Sequence, residues 1–187
     1  MSALGTITTS DYIEFDRATS VGEKLLKEEK QKTLGLYIIV SINSGLRISD
    51  VLGLKGENLK ADTIKLIEKK TKKHREIKIN ENIKKAIKQY GTLSDGHLFI
   101  SQKNTVYSIQ SVNRLLKSIF KKEAKTLNIS THSMRKSFGR KVYESCGESE
   151  KALNYLSELF NHTSLSVTRR YLGIRQEELN NIYDCIA

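Results

Sequence analysis

Apolar residues in the first third of the chain recur with the period of an α-helix. Residues 22–32 place two leucines among charged neighbours, which predicts an amphipathic helix. Residues 33–43 are richer in apolar side chains and predict a buried helix, with Gly45 just beyond it in the position of a C-cap. Residues 47–54 then predict a short helix with one apolar side. We expect these helices to form much of the core.

The period changes from helical to alternating after Asn58. Residues 63–68 and 76–79 alternate apolar and polar side chains, which is typical of strands with one buried face. The segment that joins them, residues 69–75, is almost entirely basic. The pattern therefore predicts a β-hairpin with a charged tip.

The remainder of the chain is predicted to be mainly helical. Asn80 is well placed to cap a helix over residues 83–90, and a short strand is predicted over residues 97–101. Further helices are predicted over residues 108–125, 131–146, 149–160, 164–172 and 176–186. The expected fold class is α+β, a mostly helical body with one small antiparallel hairpin sheet.

Composition indicates one compact unit. The 187-residue chain contains no proline, which argues against a stiff linker between two domains. We expect residues 1–20 to form an N-terminal extension and residues 21–187 to form one domain. The longest nearly apolar stretch, residues 34–42, is too short to span a bilayer, and no secretory signal is evident, so we expect a cytoplasmic protein with no membrane partner. Its two cysteines lack metal-ligand spacing and are expected to be free thiols that pack as small apolar residues.

The net charge of +11 is concentrated in two stretches. Residues 65–88 contain ten basic and three acidic side chains, and residues 114–141 contain nine basic and one acidic. One such stretch would indicate only a solvated basic face. Two of them indicate a surface for a polyphosphate such as nucleic acid, with binding that weakens as salt is added.

Three short motifs carry candidate chemistry. They are Ser44-Gly45-Leu46-Arg47-Ile48-Ser49-Asp50, His132-Ser133-Met134-Arg135, and Asn161-His162 followed nine residues after the histidine by Tyr171. Each is weak alone. Together, in this order, they resemble the signature of the tyrosine recombinase or phage integrase family: an arginine in T/S-G-L-R-x-S-E/D, then H-x-x-R, a histidine or tryptophan, and the nucleophilic tyrosine. The resemblance extends from residue 22 to the C-terminus.

The family also carries a lysine on a β-hairpin, in a K-x-x-K-x-R pattern. Residues 70–75 match that pattern, so the resemblance assigns this role to Lys70. Because the same loop has four lysines, Lys72 and Lys73 remain competitors. Basic residues expected to contact DNA are Lys69, Lys72, Lys73, Arg75 and Lys136.

The chemistry of DNA strand cleavage fits these residue types. Attack on a phosphodiester builds negative charge on its non-bridging oxygens, and without a metal that charge must be met by fixed donors. The planar forks of Arg47 and Arg135 suit this task. Tyr171 would form a 3′-phosphotyrosine bond that conserves the energy of the broken bond. The resemblance thus implies a reaction that needs neither metal nor cofactor.

The resemblance assigns supporting roles to the other residues. His132 would relay a proton or donate to the phosphate, and Lys70 would protonate the leaving 5′ oxygen. His162 would hydrogen-bond the scissile phosphate. Asp50 matches a carboxylate that orients active-site groups, although a place on an exposed helix surface fits the sequence equally well.

Two departures from the family pattern stand out. Asn161 replaces a glycine, which asparagine can do because it tolerates left-handed backbone angles. Most members also carry a separate core-binding domain before the catalytic one. We expect none within this sequence, because only about twenty residues precede the first predicted helix, so it is either an excised domain or a naturally minimal protein.

The resemblance implies a site-specific recombinase or integrase that acts on double-stranded DNA, either of a mobile element or of a dimeric chromosome. As in the family, we expect a tetramer on paired sites, and we expect a monomer in free solution. The alternatives are a DNA-binding protein that has kept the fold without the chemistry, and a nicking-closing enzyme like a type IB topoisomerase.

Overall fold

The computed structural model describes residues 10–185, and the side chain of Gln176 is not described. The helices are α1 (Phe15–Leu26), α2 (Lys32–Ser44), α3 (Ile48–Val51), α4 (Gly56–Lys60), α5 (Glu81–Tyr90), α6 (Ile109–Ile119), α7 (Thr131–Ser145), α8 (Glu150–Phe160), α9 (Leu165–Leu172) and α10 (Ile174–Asp184), and the strands are β1 (Thr63–Ile67) and β2 (His74–Lys78). The predicted α+β class is confirmed.

Helix α1 lies earlier in the chain than predicted. It begins at Phe15 and ends at Leu26, whereas the apolar pattern placed the helix at residues 22–32. Contact with α2 decides its position. A side chain on Gly35 would come within 2.7 Å of the carbonyl oxygen of Gly22, so the two helices cross at nearly backbone distance. The highly charged segment 27–31, which has no apolar face to bury, forms the turn between them.

The turn after α2 follows the prediction. Gly45 adopts the left-handed conformation, with φ of 61°, and caps the buried helix. Helix α3 is shorter than predicted and ends at Val51 rather than residue 54. The carbonyl of Leu54 instead accepts a backbone hydrogen bond from Leu98 at 3.1 Å, which draws the chain out of the helix.

The strands β1 and β2 pair antiparallel, from Thr63 opposite Lys78 to Ile67 opposite His74. Because β2 begins at His74, two residues earlier than predicted, the hairpin tip is residues 68–73. The strand predicted over residues 97–101 is reduced to two isolated bridges. The long helix predicted over residues 108–125 ends at Ile119 and is followed by a 3₁₀ turn over Glu123–Lys125.

The described residues form two apolar clusters. The larger cluster includes α1, α2, α5 and α6, and Met134 of α7 joins it. The smaller one lies between α7, α8, α9 and the start of α10; its buried members are Tyr143, Ala152, Leu153, Leu156, Phe160, Leu172 and Ile174. Helix α7 lies at the boundary between these two cores and contributes to both.

Helix α10 is held to its own chain by ion pairs. Glu177 accepts from Arg140 at 2.7 Å and Glu178 accepts from Arg169 at 3.0 Å. The helix begins two residues earlier than predicted, and its predicted end at residue 186 lies outside the described part of the chain. Its apolar residues Leu179, Ile182 and Tyr183 are exposed.

Both cysteines, Cys146 and Cys185, are free and exposed, so the expectation that they pack as small apolar residues was wrong. Between residues 10 and 185 there is no helix both long and apolar enough to span a bilayer.

Candidate active site

A cleft of about 340 Å³ lies where α3, the hairpin tip, α7 and the α8–α9 connection meet. Its lining includes all six residues that the motifs singled out for chemistry: Arg47, Lys70, His132, Arg135, His162 and Tyr171. These residues span more than 120 positions of the chain, yet the fold brings their side chains to one cavity.

Arg47 is held from behind by two hydrogen bonds. It directly precedes α3, and its Nη1 donates to Glu68 Oε2 at 2.8 Å while its Nη2 donates to the carbonyl of Phe160 at 3.0 Å. These bonds use two of the five N–H groups of a guanidinium. The side chain is fixed and still has donors for a ligand in the cleft.

Arg135 is buried in α7. Its Nη1 donates to the carbonyl of Gly45, and its guanidinium lies over the Phe160 ring, 4.3 Å from the ring centre. The pKa of Arg135 is lowered to about 10, mainly by burial; Tyr171 opposes this effect and nearby Arg47 adds to it. Arg135 is still charged at neutral pH, which makes it a strong anchor for an anion.

His132 stands in the first turn of α7, which Ser130 caps, and its ring is exposed at the mouth of the cleft. Its pKa lies below the usual histidine value because of partial burial and the nearby charges of Arg135, Lys136 and Lys70. A neutral imidazole at physiological pH can accept a proton.

His162 is oriented by the left-handed turn that ends α8. Asn161 has φ of 53°, as its replacement of glycine predicted, and the chain turns so that His162 faces the cleft. His162 Nδ1 lies 3.0 Å from Thr168 Oγ1, which leaves Nε2 as the ring nitrogen available to a ligand. Burial and then the charges of Arg135 and Arg47 lower its pKa.

The hydroxyl of Tyr171 is buried and makes no well-formed hydrogen bond with any residue between 10 and 185. Its ring packs edge-on against Phe160 and His162, with centres 5.4 and 5.2 Å away. Burial raises its pKa to about 12, although Arg135 and Arg47 lie close enough to oppose that rise. The free protein thus holds Tyr171 as a neutral phenol whose oxygen is available for a new partner.

The candidate lysines of the hairpin tip lie in different environments. Lys70 is exposed and lines the cleft. Lys73 donates to Asn161 Oδ1 at 2.5 Å, and Lys72 occupies the left-handed turn position with φ of 58°. Of the three candidates, the geometry favours Lys70.

Asp50 is buried, so the alternative of an exposed helix surface was wrong. Its Oδ1 accepts a hydrogen bond from the backbone N–H of Lys69 at 2.8 Å. Asp50 therefore fixes the chain at the base of the tip, one residue before Lys70.

Two residues predicted to contact DNA, Arg75 and Lys136, also make contacts within the protein. Arg75 is 20% exposed and donates to the carbonyl of Leu159 at 2.7 Å. Lys136 is 7% exposed and lies over the ring of Tyr171, 5.3 Å from its centre. DNA contact remains a prediction for all five basic residues, of which Lys69, Lys72 and Lys73 are exposed.

Glu68 is a component of the site that the motifs did not indicate. It is 3% exposed and bonds Arg47 from behind. In the sequence, Glu68 is one of three acidic residues in the basic stretch 65–88, and no motif marks it as part of a site. The strand period could have found it, because Glu68 follows the buried side of β1 in phase with Ile64 and Leu66.

Comparison with known proteins agrees with the family resemblance seen in the motifs. A family model described as phage integrase family matches residues 14–178. The probable integrase/recombinase YoeC of Bacillus subtilis is 31% identical over 175 residues, covering 90% of this chain and 91% of that protein. The tyrosine recombinase XerC of Pelobacter propionicus is 26% identical over 181 residues, covering 92% of this chain but 58% of XerC.

Solved structures share the fold. A site-specific recombinase, XerH, bound to palindromic difH substrate aligns with a TM-score of 0.69 at 19% identity, covering 96% of this chain and 55% of that one. The XerA recombinase aligns with a TM-score of 0.68 at 17% identity, covering 98% and 66%. These comparisons favour a recombinase over the two alternatives. The chain belongs to the phage integrase family, the tyrosine recombinases that its motifs resemble.

Proposed function

We propose that this chain cuts and rejoins double-stranded DNA at specific sites through a 3′-phosphotyrosine intermediate. The observation that carries the proposal is the gathering of two arginines, two histidines, a lysine and a buried tyrosine hydroxyl around one cleft.

The phosphate of the cut strand would enter between the two guanidinium groups. Arg47 and Arg135 would donate to its non-bridging oxygens and oppose the charge that grows there during attack. In the tautomer whose Nδ1 accepts from Thr168, His162 would donate from Nε2 to the same phosphate.

Cleavage would proceed by direct displacement. The Tyr171 oxygen bonds to phosphorus, the bond from phosphorus to the 5′ oxygen breaks, and the phenol proton passes to neutral His132. Lys70 supplies a proton to the departing 5′ oxygen. Rejoining is the reverse reaction with a 5′ hydroxyl as the nucleophile, so no nucleotide cofactor is consumed.

The exposed lysines of the hairpin tip support DNA as the partner, and solved relatives such as XerH are described as complexes with their DNA substrates. We propose assembly as a tetramer on paired sites. The exposed apolar residues Leu179, Ile182 and Tyr183 of α10 suit contact with a second copy. In free solution we expect a monomer in the cytoplasm.

The test is capture of a covalent protein–DNA adduct. A pool of duplexes with a randomised segment and a nick near its centre is incubated with the protein, and adducts that survive denaturation are sequenced to identify the site. The wild type should form an adduct in the presence of EDTA, and Tyr171→Phe should form none.

Four outcomes would overturn the proposal. An adduct that persists in Tyr171→Phe would show that Tyr171 is not the nucleophile. Dependence of adduct formation on a metal would refute the metal-free mechanism. Binding of the pool without any adduct identifies a non-catalytic DNA-binding protein. Relaxation of supercoiled DNA without strand exchange would indicate the topoisomerase-like alternative.

A further inference from the structure

One buried carboxylate lies directly behind the cleft. Glu68 Oε2 accepts hydrogen bonds from Arg47 Nη1 at 2.8 Å and from Thr71 Oγ1 at 2.5 Å. Its Oε1 lies 3.8 Å from Arg75 Nε and has no hydrogen-bond partner in the described part of the chain. Burying a charged carboxylate costs free energy unless close partners compensate, and for Glu68 these partners are Arg47, Thr71 and Arg75.

Glu68 is connected to both sides of the cleft. Its hydrogen bond with Arg47 connects it to the expected phosphate position. Its hydrogen bond with Thr71 connects it to the residue that follows Lys70 in the chain. Its backbone also closes the tip: its N–H donates to the carbonyl of Lys73 at 3.0 Å, and its carbonyl accepts from Lys72 at 2.9 Å. One residue therefore anchors a phosphate-binding arginine and the loop that carries the lysine.

Glu68 also supplies the counter-charge to a cluster of cations. Arg47, Arg75 and Arg135 lie close enough that each of the first two lowers the pKa of Arg135, and Glu68 opposes this effect. Burial raises the pKa of Glu68, but the bond from Thr71 and the charge of Arg47 outweigh burial and hold it below its usual value. Glu68 is thus ionised at neutral pH.

We propose that Glu68 is a positioning residue for strand cleavage, holding Arg47 with its unused edge toward the cleft and fixing Thr71 beside Lys70. Glu68 does not touch the DNA in this role. The inference rests on the proposed function and deepens it.

The principal test compares Glu68→Ala and Glu68→Gln with Glu76→Gln, using the duplex selected by the wild type. Glu76 is the matched control, because it is an exposed carboxylate on β2 of the same hairpin that pairs with Lys65. Single-turnover adduct formation should fall roughly 10²-fold in Glu68→Ala, the cost of misplacing a group at a reacting centre. Glu68→Gln keeps an acceptor oxygen and should fall less, while Glu76→Gln should match the wild type.

Two further comparisons separate positioning from general support of the fold. In an Arg47→Ala background, Glu68→Ala should cost no more than about twofold, because its effect passes through a side chain already missing. On DNA with a methyl group in place of one non-bridging oxygen, the defect of Glu68→Gln should shrink, since that phosphate needs less charge neutralisation. A full extra loss in the double variant, or equal defects on both substrates, would overturn the proposal.

A readout independent of cleavage keeps the two proposals apart. In the ¹⁵N spectrum, the Arg47 Nη1–H signal, identified by its absence in Arg47→Lys, should exchange slowly with solvent in the wild type, because Nη1 donates to Glu68 Oε2, and faster in Glu68→Gln. If the wild type forms no adduct, the proposed function fails, and this exchange rate alone decides whether Glu68 orders Arg47. Unchanged exchange in Glu68→Gln would refute the positioning role.

Discussion

At the scale of single residues, the free site holds its proposed nucleophile, Tyr171, as a neutral phenol. The Tyr171 hydroxyl is buried beside two arginines but lacks a formed hydrogen bond. The effect of burial exceeds that of the arginine charges, so the pKa of Tyr171 rises to about 12. In the proposed reaction, a bound phosphate supplies the partner for the Tyr171 oxygen, and a proton acceptor such as His132 takes its proton.

This raised pKa predicts a contribution to alkaline instability. The unfolded tyrosine ionises near its ordinary value of 10.0 and the folded one near 12, so the wild type should lose stability as pH rises between these values. Two pKa units correspond to about 3 kcal/mol at most. Urea unfolding across this range should show a shallower loss in Tyr171→Phe.

The exposed Tyr183 provides the control. Tyr183→Phe should follow the wild-type profile. Parallel profiles for the wild type and Tyr171→Phe would mean that burial does not hold Tyr171 neutral.

Asn161 performs two tasks that substitutions can separate. It adopts a left-handed conformation and accepts a hydrogen bond from Lys73. Asn161→Gly keeps the backbone and removes the bond, whereas Asn161→Ala also strains the backbone, so the alanine variant should be less stable than the glycine variant by about 1 kcal/mol. Thermal unfolding measures the difference, and equal stability would contradict the backbone argument.

At the scale of elements, the hairpin tip carries the proposed proton donor, Lys70. Lys70→Ala should strongly reduce adduct formation on ordinary DNA, because the 5′ oxygen leaves poorly without a proton. With sulfur in place of that oxygen the leaving group is far less basic, and cleavage by Lys70→Ala should return close to the wild-type rate. Gel quantification of adducts on the two substrates provides the measurement.

Lys72→Ala is the matched change in the same tip. At a protein concentration that saturates the DNA, where loss of a DNA contact no longer limits binding, it should keep the cleavage rate on ordinary DNA. A Lys72 or Lys73 variant that fails on ordinary DNA but recovers with the sulfur substrate would reassign the proton donor.

Elements with a strong local signal were predictable from the sequence. The buried helix α2, its Gly45 cap and the alternating hairpin follow from periodicity and turn chemistry, and the motifs found the six residues now at the cleft. The start of α1 was not predictable, because close packing on Gly35 of α2 sets it. The burial of Lys136 and Glu68 likewise depends on contacts with distant elements, α9 and α3, which local patterns do not record.

At the scale of the whole molecule, the cleft lies at the boundary of the two cores. Arg47 and Lys70 come from elements of the larger core, while Phe160 belongs to the smaller one and Tyr171 packs against it. A smaller core buries less apolar surface, so it should open more readily.

This division predicts a local effect of a core substitution. Leu156→Ala in the smaller core removes a fully buried side chain and should cost about 2–5 kcal/mol. Hydrogen exchange should accelerate in α8 and α9 and remain slow in α2. Leu116→Ala, an equally buried change in the larger core, should accelerate exchange throughout. Uniform acceleration by Leu156→Ala would show that the two cores unfold as one.

The placement of Tyr171 against the smaller core also has a consequence in time. The complete set of reacting groups exists only while both cores are folded and docked, so the measured cleavage rate is the intrinsic rate multiplied by that fraction of time. Any contact that keeps the smaller core closed, including one made by another molecule far from the cleft, therefore controls how often this protein can cut DNA.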